Sequence, residues 1–353
     1  MPGITTAGVA VRGIASAVPA RKQTVEDLGR LFGAEEAEKI AQSTGVRVRR
    51  VARPEVCCSD LCFAAAESLL QSAQWPKESI DALLFVSQSF DYPLPATSCI
   101  LQSRLGLPKT TAAFDVGLGC SGYVYGLWIA AGLISGGCRR VLLLAGDTST
   151  RYLAPHDRSA VPLFGDAGTA TLLERDERAT MHFELGSDGS GSRHLVIPAG
   201  IASSRLPHST ETMIRTKRAD GIERSDEDLF MNGAEIFTFT LREVPPLISA
   251  ILKRAQWDKG AVDGFFFHQA NKFMLEYLAK RMGLSPAKVP MVLEHYGNTS
   301  SASIPLAITH CARQQLEKQK MKLVLAGFGV GLSWAAAALE IGSITAPELV
   351  EVP

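Results

Sequence analysis

The chain has 353 residues, 36 of them basic and 36 acidic, for a formal net charge of zero. That balance excludes a protein coated with charge for nucleic acid or an anionic membrane, and 46% hydrophobic against 20% charged residues excludes a disordered one. The length exceeds one ordinary core, so two domains or two fused halves are expected.

Along the chain, Val9, Val11 and Ile14 begin an N-terminal strand, with neither a charged leader nor an apolar signal core ahead of it. Helices are predicted at 26–43, 59–73, 96–105, 121–136, 233–255, 270–283 and 302–318. Unbroken apolar strands are predicted at Ala82–Val86, Val141–Ala145, Gly264–Phe267 and Leu323–Ala326, the pattern of a sheet covered on both faces. The longest apolar helical stretch, Tyr123 to Ile134, is too short and glycine-rich to span a bilayer, so the protein is expected to be soluble and cytoplasmic. Seven scattered cysteines fit a reducing compartment. Cys57, Cys58 and Cys62 lack a histidine and the paired spacing of a zinc site, so no metal is expected. The polar stretch Gly186 to Asp228 reads as a loop-bearing insertion, and Ser187 to Ser192 within it as a turn.

The chain repeats itself. Ala73-Gln-Trp-Pro-Lys aligns with Ala255-Gln-Trp-Asp-Lys at an offset of 182 residues, and Val141 to Gly146 aligns with Leu323 to Gly327 at nearly the same offset. Gly117 and Gly297 each precede an apolar helix. The expected division is 1–175 and 176–353, two similar α/β halves.

In such folds, ligands collect beyond the carboxyl ends of the strands. Three corners there carry chemistry. Cys120, in Phe114-Asp-Val-Gly-Leu-Gly-Cys-Ser-Gly122, lies between an apolar run and a helix, where the helix N-terminus favours a thiolate. His268 follows a buried strand in Phe265-Phe-Phe-His-Gln-Ala-Asn271, and Asn298 stands at a glycine corner in His295-Tyr-Gly-Asn-Thr-Ser-Ser-Ala-Ser303. Each alone also fits a bland role: a buried thiol closing a turn, a capping histidine, an asparagine in a turn. Together they supply a nucleophile, an imidazole and an amide donor.

These motifs, with Phe164-Gly-Asp-Ala-Gly168 and Gly327-Phe-Gly-Val-Gly-Leu-Ser-Trp334, resemble the thiolase-fold condensing enzymes, most closely the β-ketoacyl-acyl carrier protein synthase III family. The resemblance implies an α/β five-layered αβαβα fold of two similar halves, usually a homodimer, acting in fatty acid or polyketide biosynthesis. It implies that Cys120 takes an acyl group from acyl-CoA or an acyl-carrier protein. A malonyl thioester, expected on a carrier protein, then loses CO₂ and condenses. No cofactor is implied. The backbone N–H groups of Cys120 and Val330 correspond to the oxyanion hole, and His268 and Asn298 to the donors for the malonyl thioester oxygen.

Further positions carry over from the family. Arg158, Gly233 and Asn271 correspond to substrate-binding residues. Leu94 stands where a bulky residue reaches across the dimer to floor the acyl pocket, and a leucine there admits a longer chain. Lys272, Lys280 and Arg281 are the expected docking charges for an acidic carrier protein. The chain departs from the family in having Gly329-Val-Gly331 for three glycines, and Lys39 and Ser43 for the tryptophan and arginine that hold the CoA adenine.

Other readings compete. A thiolase needs a second cysteine that Gly327 to Trp334 lacks, a hydroxymethylglutaryl-CoA synthase needs a nearby glutamate, and a plant-type polyketide synthase has proline where Val330 stands. A related acyltransferase or thioesterase that moves acyl groups without decarboxylation is the alternative. A cysteine hydrolase would release the acyl group to water, and a non-catalytic subunit would lack the nucleophile.

Overall fold

A computed structural model describes residues 3–200 and 205–353 of the chain; residues 201–204 of the polar insertion lie outside it. In chain order the principal strands are β1 (Gly3–Pro19), β2 (Ala82–Val86), β3 (Ala112–Val116), β4 (Arg140–Asp147), β5 (Ala167–Ser187), β6 (Gly264–Phe267), β7 (Lys320–Gly329), β8 (Ser333–Gly342) and β9 (Val350–Val352). The principal helices are α1 (Val25–Phe32), α2 (Ala34–Thr44), α3 (Cys58–Ala73), α4 (Thr97–Arg104), α5 (Gly122–Ser135), α6 (Gly233–Ala255), α7 (Lys272–Met282), α8 (Leu293–Tyr296) and α9 (Ser303–Lys318). The single helix expected over 26–43 is two, because Gly33 turns the chain at φ +91°, outside what an L-residue readily adopts.

Layering follows from side chains alternating across each strand. Leu83, Phe85, Leu142 and Leu144 face an outer core with Leu69 of α3 and Leu101 of α4. Their neighbours Leu84, Val86, Leu143 and Ala145 face a central core filled by α5 and α9. In the second half Leu323 and Leu325 join that same central core, while Val324, Phe265 and Phe267 face α6 and α7. Helix, sheet, helix pair, sheet, helix: this is the five-layered thiolase arrangement. It also explains why α5 is apolar all round, since it is covered on both sides.

The internal repeat is visible as register. Ala82 of β2 pairs with Val141 of β4, and Gly264 of β6 pairs with Leu323 of β7, so both partners move by the same 182 residues. The path across the strands runs β6-β7-β8-β5-β4-β2-β3, and the long β1 lies antiparallel to β5. The strand β5 pairs with β4 through Ala167–Glu174 and with β8 through Met181–Ser187, so it serves both halves. The 175/176 division falls inside this strand. Among the described residues no helix is long and apolar enough to cross a membrane.

Candidate active site

Beyond the end of β3, a turn through Gly117 to Gly119 leads to Cys120, two residues ahead of α5. The end of β7 closes over it from the other half. A Cβ on Gly329 would lie 2.7 Å from both Cβ and Sγ of Cys120, and the φ there is +156°; a Cβ on Gly327 would meet the Cys120 carbonyl oxygen at 2.6 Å. Only glycine permits that approach. It brings the Val330 N–H, together with that of Cys120 itself, against the sulfur. Val330 is not itself at positive φ, so its side chain is accommodated.

The expected thiolate is not the resting form. Cys120 is buried, and burial pushes its thiol up to about 11 against the pull of the Val330 N–H, with the nearby Asp147 carboxylate adding to the rise. Loss of water outweighs the dipoles at the helix start, partly because Ser121 separates Cys120 from the first helical residue.

His268 directly follows β6. Burial depresses it to about 3, so the imidazole is neutral at physiological pH. Its Nδ1 lies 2.8 Å from Ser303 Oγ, and its edge packs against Phe328 with ring centroids 5.8 Å apart. Asn298, expected beyond a strand, follows the short helix α8 instead. Its main chain bridges to the Phe164 segment, donating to Leu163 O at 2.8 Å and accepting from Gly165 N at 3.0 Å. The Asn298 Oδ1 accepts from Ser300 N at 3.0 Å, which leaves the NH₂ side of the amide for a ligand.

Ser300 touches all three. Its N–H holds Asn298, its main chain reaches the His268 ring, and its hydroxyl approaches the Cys120 sulfur. It does so at φ +51°, a conformation that costs a non-glycine residue energy and that its surroundings must impose. Much of that imposition comes from Asp147 at the end of β4. Its buried carboxylate accepts from Ser301 Oγ at 2.8 Å, Ser301 N at 3.2 Å and Gln88 N at 2.7 Å, tying the first half to the Asn298 loop. Sequence reasoning missed Asp147; the one available signal was a carboxylate closing an otherwise apolar strand.

A cavity of about 310 Å³ opens beside Cys120, Ser300 and Val330, walled by Tyr152, Phe164, Leu229 and residues 195–197. Neither His268 nor Asn298 lines it, though both contact Ser300, which does. The remaining expected positions lie elsewhere. Asn271 Oδ1 is occupied as the cap of α7, accepting from Met274 N at 2.8 Å. Gly233 opens α6, and Leu94 projects outward, 81% exposed. Arg158 sits in a separate surface cleft with Leu31, Phe32 and Lys217, 3.9 Å from Glu36. Lys272 lies 3.8 Å from Glu276, and Lys280 and Arg281 stand exposed in the last turn of α7.

The layered fold and a cysteine held under a glycine-rich turn define a thiolase-fold condensing enzyme, an acyltransferase. Two family descriptions match directly: 3-oxoacyl-[acyl-carrier-protein] synthase III over residues 114–189, and the C-terminal part of the same enzyme over 252–341. The chain is 36% identical to a β-ketoacyl-[acyl-carrier-protein] synthase III of Symbiobacterium thermophilum, over 95% of this chain and 98% of that one. A second such relative, from Roseiflexus castenholzii, is also 36% identical, over 94% and 97%. The crystal structure of a 3-oxoacyl-(acyl-carrier protein) synthase from Burkholderia xenovorans LB400 superposes with a TM-score of 0.93 at 43% identity, covering 99% of both chains. The chain belongs to the β-ketoacyl-acyl carrier protein synthase III family.

Proposed function

We propose that the protein primes chain assembly in fatty acid biosynthesis by joining a Cys120-bound starter to a malonyl group carried on acyl carrier protein. Cys120 attacks the carbonyl carbon of an acyl thioester, from CoA or a carrier, and its proton leaves with the departing thiol. The N–H groups of Cys120 and Val330 hold the developing oxyanion. Because the resting form is the thiol, deprotonation belongs to the acylation step and not to the empty enzyme.

The malonyl thioester then replaces the first product. Its carboxylate departs as CO₂, and the electron pair left on carbon is stabilised as an enolate by donation from His268 and the Asn298 NH₂ group. That carbon attacks the acyl-Cys120 carbonyl, the sulfur leaves, and one solvent proton restores the thiol. The product is a β-ketoacyl thioester. A neutral His268 suits a donor to an enolate oxygen, and an intact His/Asn pair favours decarboxylation over the simple acyl transfer that is the alternative. No step needs a cofactor.

The single observation that carries this reading is the convergence of a buried nucleophile, a neutral imidazole and an oriented amide on Ser300. Intact-mass analysis with acetyl-CoA tests it: an adduct on Cys120 that malonyl carrier protein discharges as a β-ketoacyl product supports the mechanism. Release of free acid alone would defeat it.

The same reading includes two homologous halves, 1–175 and 176–353, supported by the shared strand register, and a cytoplasmic homodimer. The edge strand β3 and the exposed Phe90, Tyr92, Leu94 and Phe114 beside it support that pairing, with Leu94 reaching the partner's pocket. Lys272, Lys280 and Arg281 would receive the acidic carrier, with Arg158, Gly233 and Asn271 along the pantetheine path.

A further inference from the structure

Two polar side chains in the Cys120 cavity have no partner among the described residues. Ser149 lines the cavity and its hydroxyl forms no hydrogen bond, although the residue is only 9% exposed. Gln88 donates its main-chain N–H to Asp147 at 2.7 Å, but its carboxamide bonds to nothing. That carboxamide lies over Gly119, the residue before the nucleophile, where Val330 and Ser300 also converge. Nearby polar groups are already engaged. The Ser89 hydroxyl donates to Asp147 at 3.2 Å and accepts from Thr148 N at 3.1 Å, and the Tyr152 hydroxyl meets Ser89.

Ser149 is buried and Gln88 is exposed in the cleft, so an acyl chain filling this space covers both; a saturated chain strips their water and returns no hydrogen bond. A chain carrying an oxygen repairs the loss. Sites built to bond a substrate hydroxyl or carbonyl discriminate strongly against the analogue that lacks it. We infer that the starter accepted by Cys120 bears a hydroxyl or keto oxygen within a few carbons of its thioester carbonyl, bound by Gln88 and Ser149. A carboxamide and a hydroxyl both donate and accept, so the two side chains suit either oxygen. The bound oxygen takes no part in the chemistry; the acyl group still passes to Cys120 and the thiol proton still leaves with the released thiol.

This inference rests on the acyl-transfer reading above, and one experiment separates them. The rate of Cys120 adduct formation is followed by intact mass with acetyl-, butyryl-, 3-hydroxybutyryl- and acetoacetyl-CoA. The full chain should take 3-hydroxybutyryl or acetoacetyl at least about tenfold faster than butyryl, and the faster of the two identifies the oxygen. Gln88→Leu should abolish or reverse that preference by accelerating butyryl transfer, and Ser149→Ala should reduce it less. If Gln88→Leu does not fold, the Ser149→Ala ratio decides alone. Equal or faster butyryl transfer by the wild-type chain, or an unchanged ratio in both variants, would overturn the assignment. Absence of an adduct with every thioester, acetyl included, would overturn acyl transfer itself.

Discussion

The strand pair β2–β4 and the strand pair β6–β7 share one register, yet the chain leaves them differently on the way to the cleft. In the first half a further parallel strand, β3, delivers Cys120 from the sheet edge. At the matching place in the second half there is no strand: the short helix α8 and a glycine corner deliver Asn298, joined to the rest by a single bridge at Phe164. A nucleophile carried on a sheet is positioned by the whole ladder. A side chain carried on a loop must be positioned by specific bonds, and here those come from the opposite half, from Leu163 and Gly165 to Asn298 itself and from Asp147 to Ser301 close by.

The sharpest break in this comparison is Cys120→Ala, which should abolish the acyl adduct in intact-mass spectra while malonyl decarboxylation persists on the C-terminal donors. Next, His268→Ala or Asn298→Ala should lower decarboxylation ~10²–10³-fold and leave Cys120 acylation measurable, since each removes one preorganised donor. ¹⁴CO₂ release against adduct formation reads the split. Asp147→Asn should damage the loop side more than the strand side, slowing decarboxylation up to ~10²-fold through misplaced Asn298. A lowered Tm is expected in the same variant because several buried donors lose their carboxylate. A result in which acylation suffers and decarboxylation does not would remove the asymmetry.

Weaker effects probe the entrance. Lys280→Glu with Arg281→Glu should raise KM about tenfold for malonyl carrier protein and leave KM for acetyl-CoA alone, as rim charges act on encounter with a charged partner. Equal changes for both substrates would separate these residues from docking. The smallest effect is on acid stability. Folded His268 titrates near 3, far below its ordinary 6.5, so below 6.5 the unfolded chain takes up a proton that the folded one does not. Stability should therefore fall as pH drops from 6.5 towards 3, by at most about 1.4 kcal/mol per pH unit from this group. Urea unfolding across that range should show a shallower slope in His268→Gln.

How much of this was legible depends on the range of the interaction. The strands Ala82–Val86 and Gly264–Phe267 match their expected limits because apolar residues bounded by turns are a local signal. Cys120, His268 and Asn298, which the structure gathers around Ser300, were legible from motif and position. The helix break at Gly33 was missed because the amphipathic pattern runs on across it. The capping role of Asn271, whose Oδ1 accepts from Met274 N, was not foreseen; it is set by local backbone geometry and leaves the amide NH₂ for the substrate role expected of it. Gln88 and Ser149 carry no motif at all; nothing near them in sequence shows that both face one cavity.

The amino-acid order by itself determined the repeated strand segments and the corners that carry Cys120, His268 and Asn298, because periodicity and glycine corners are properties of neighbouring residues. Only the tertiary structure decided that Cys120 rests as a thiol and that His268 is neutral. Those properties depend on how much water the opposite half of the molecule removes, and burial by distant residues leaves no mark on the local sequence.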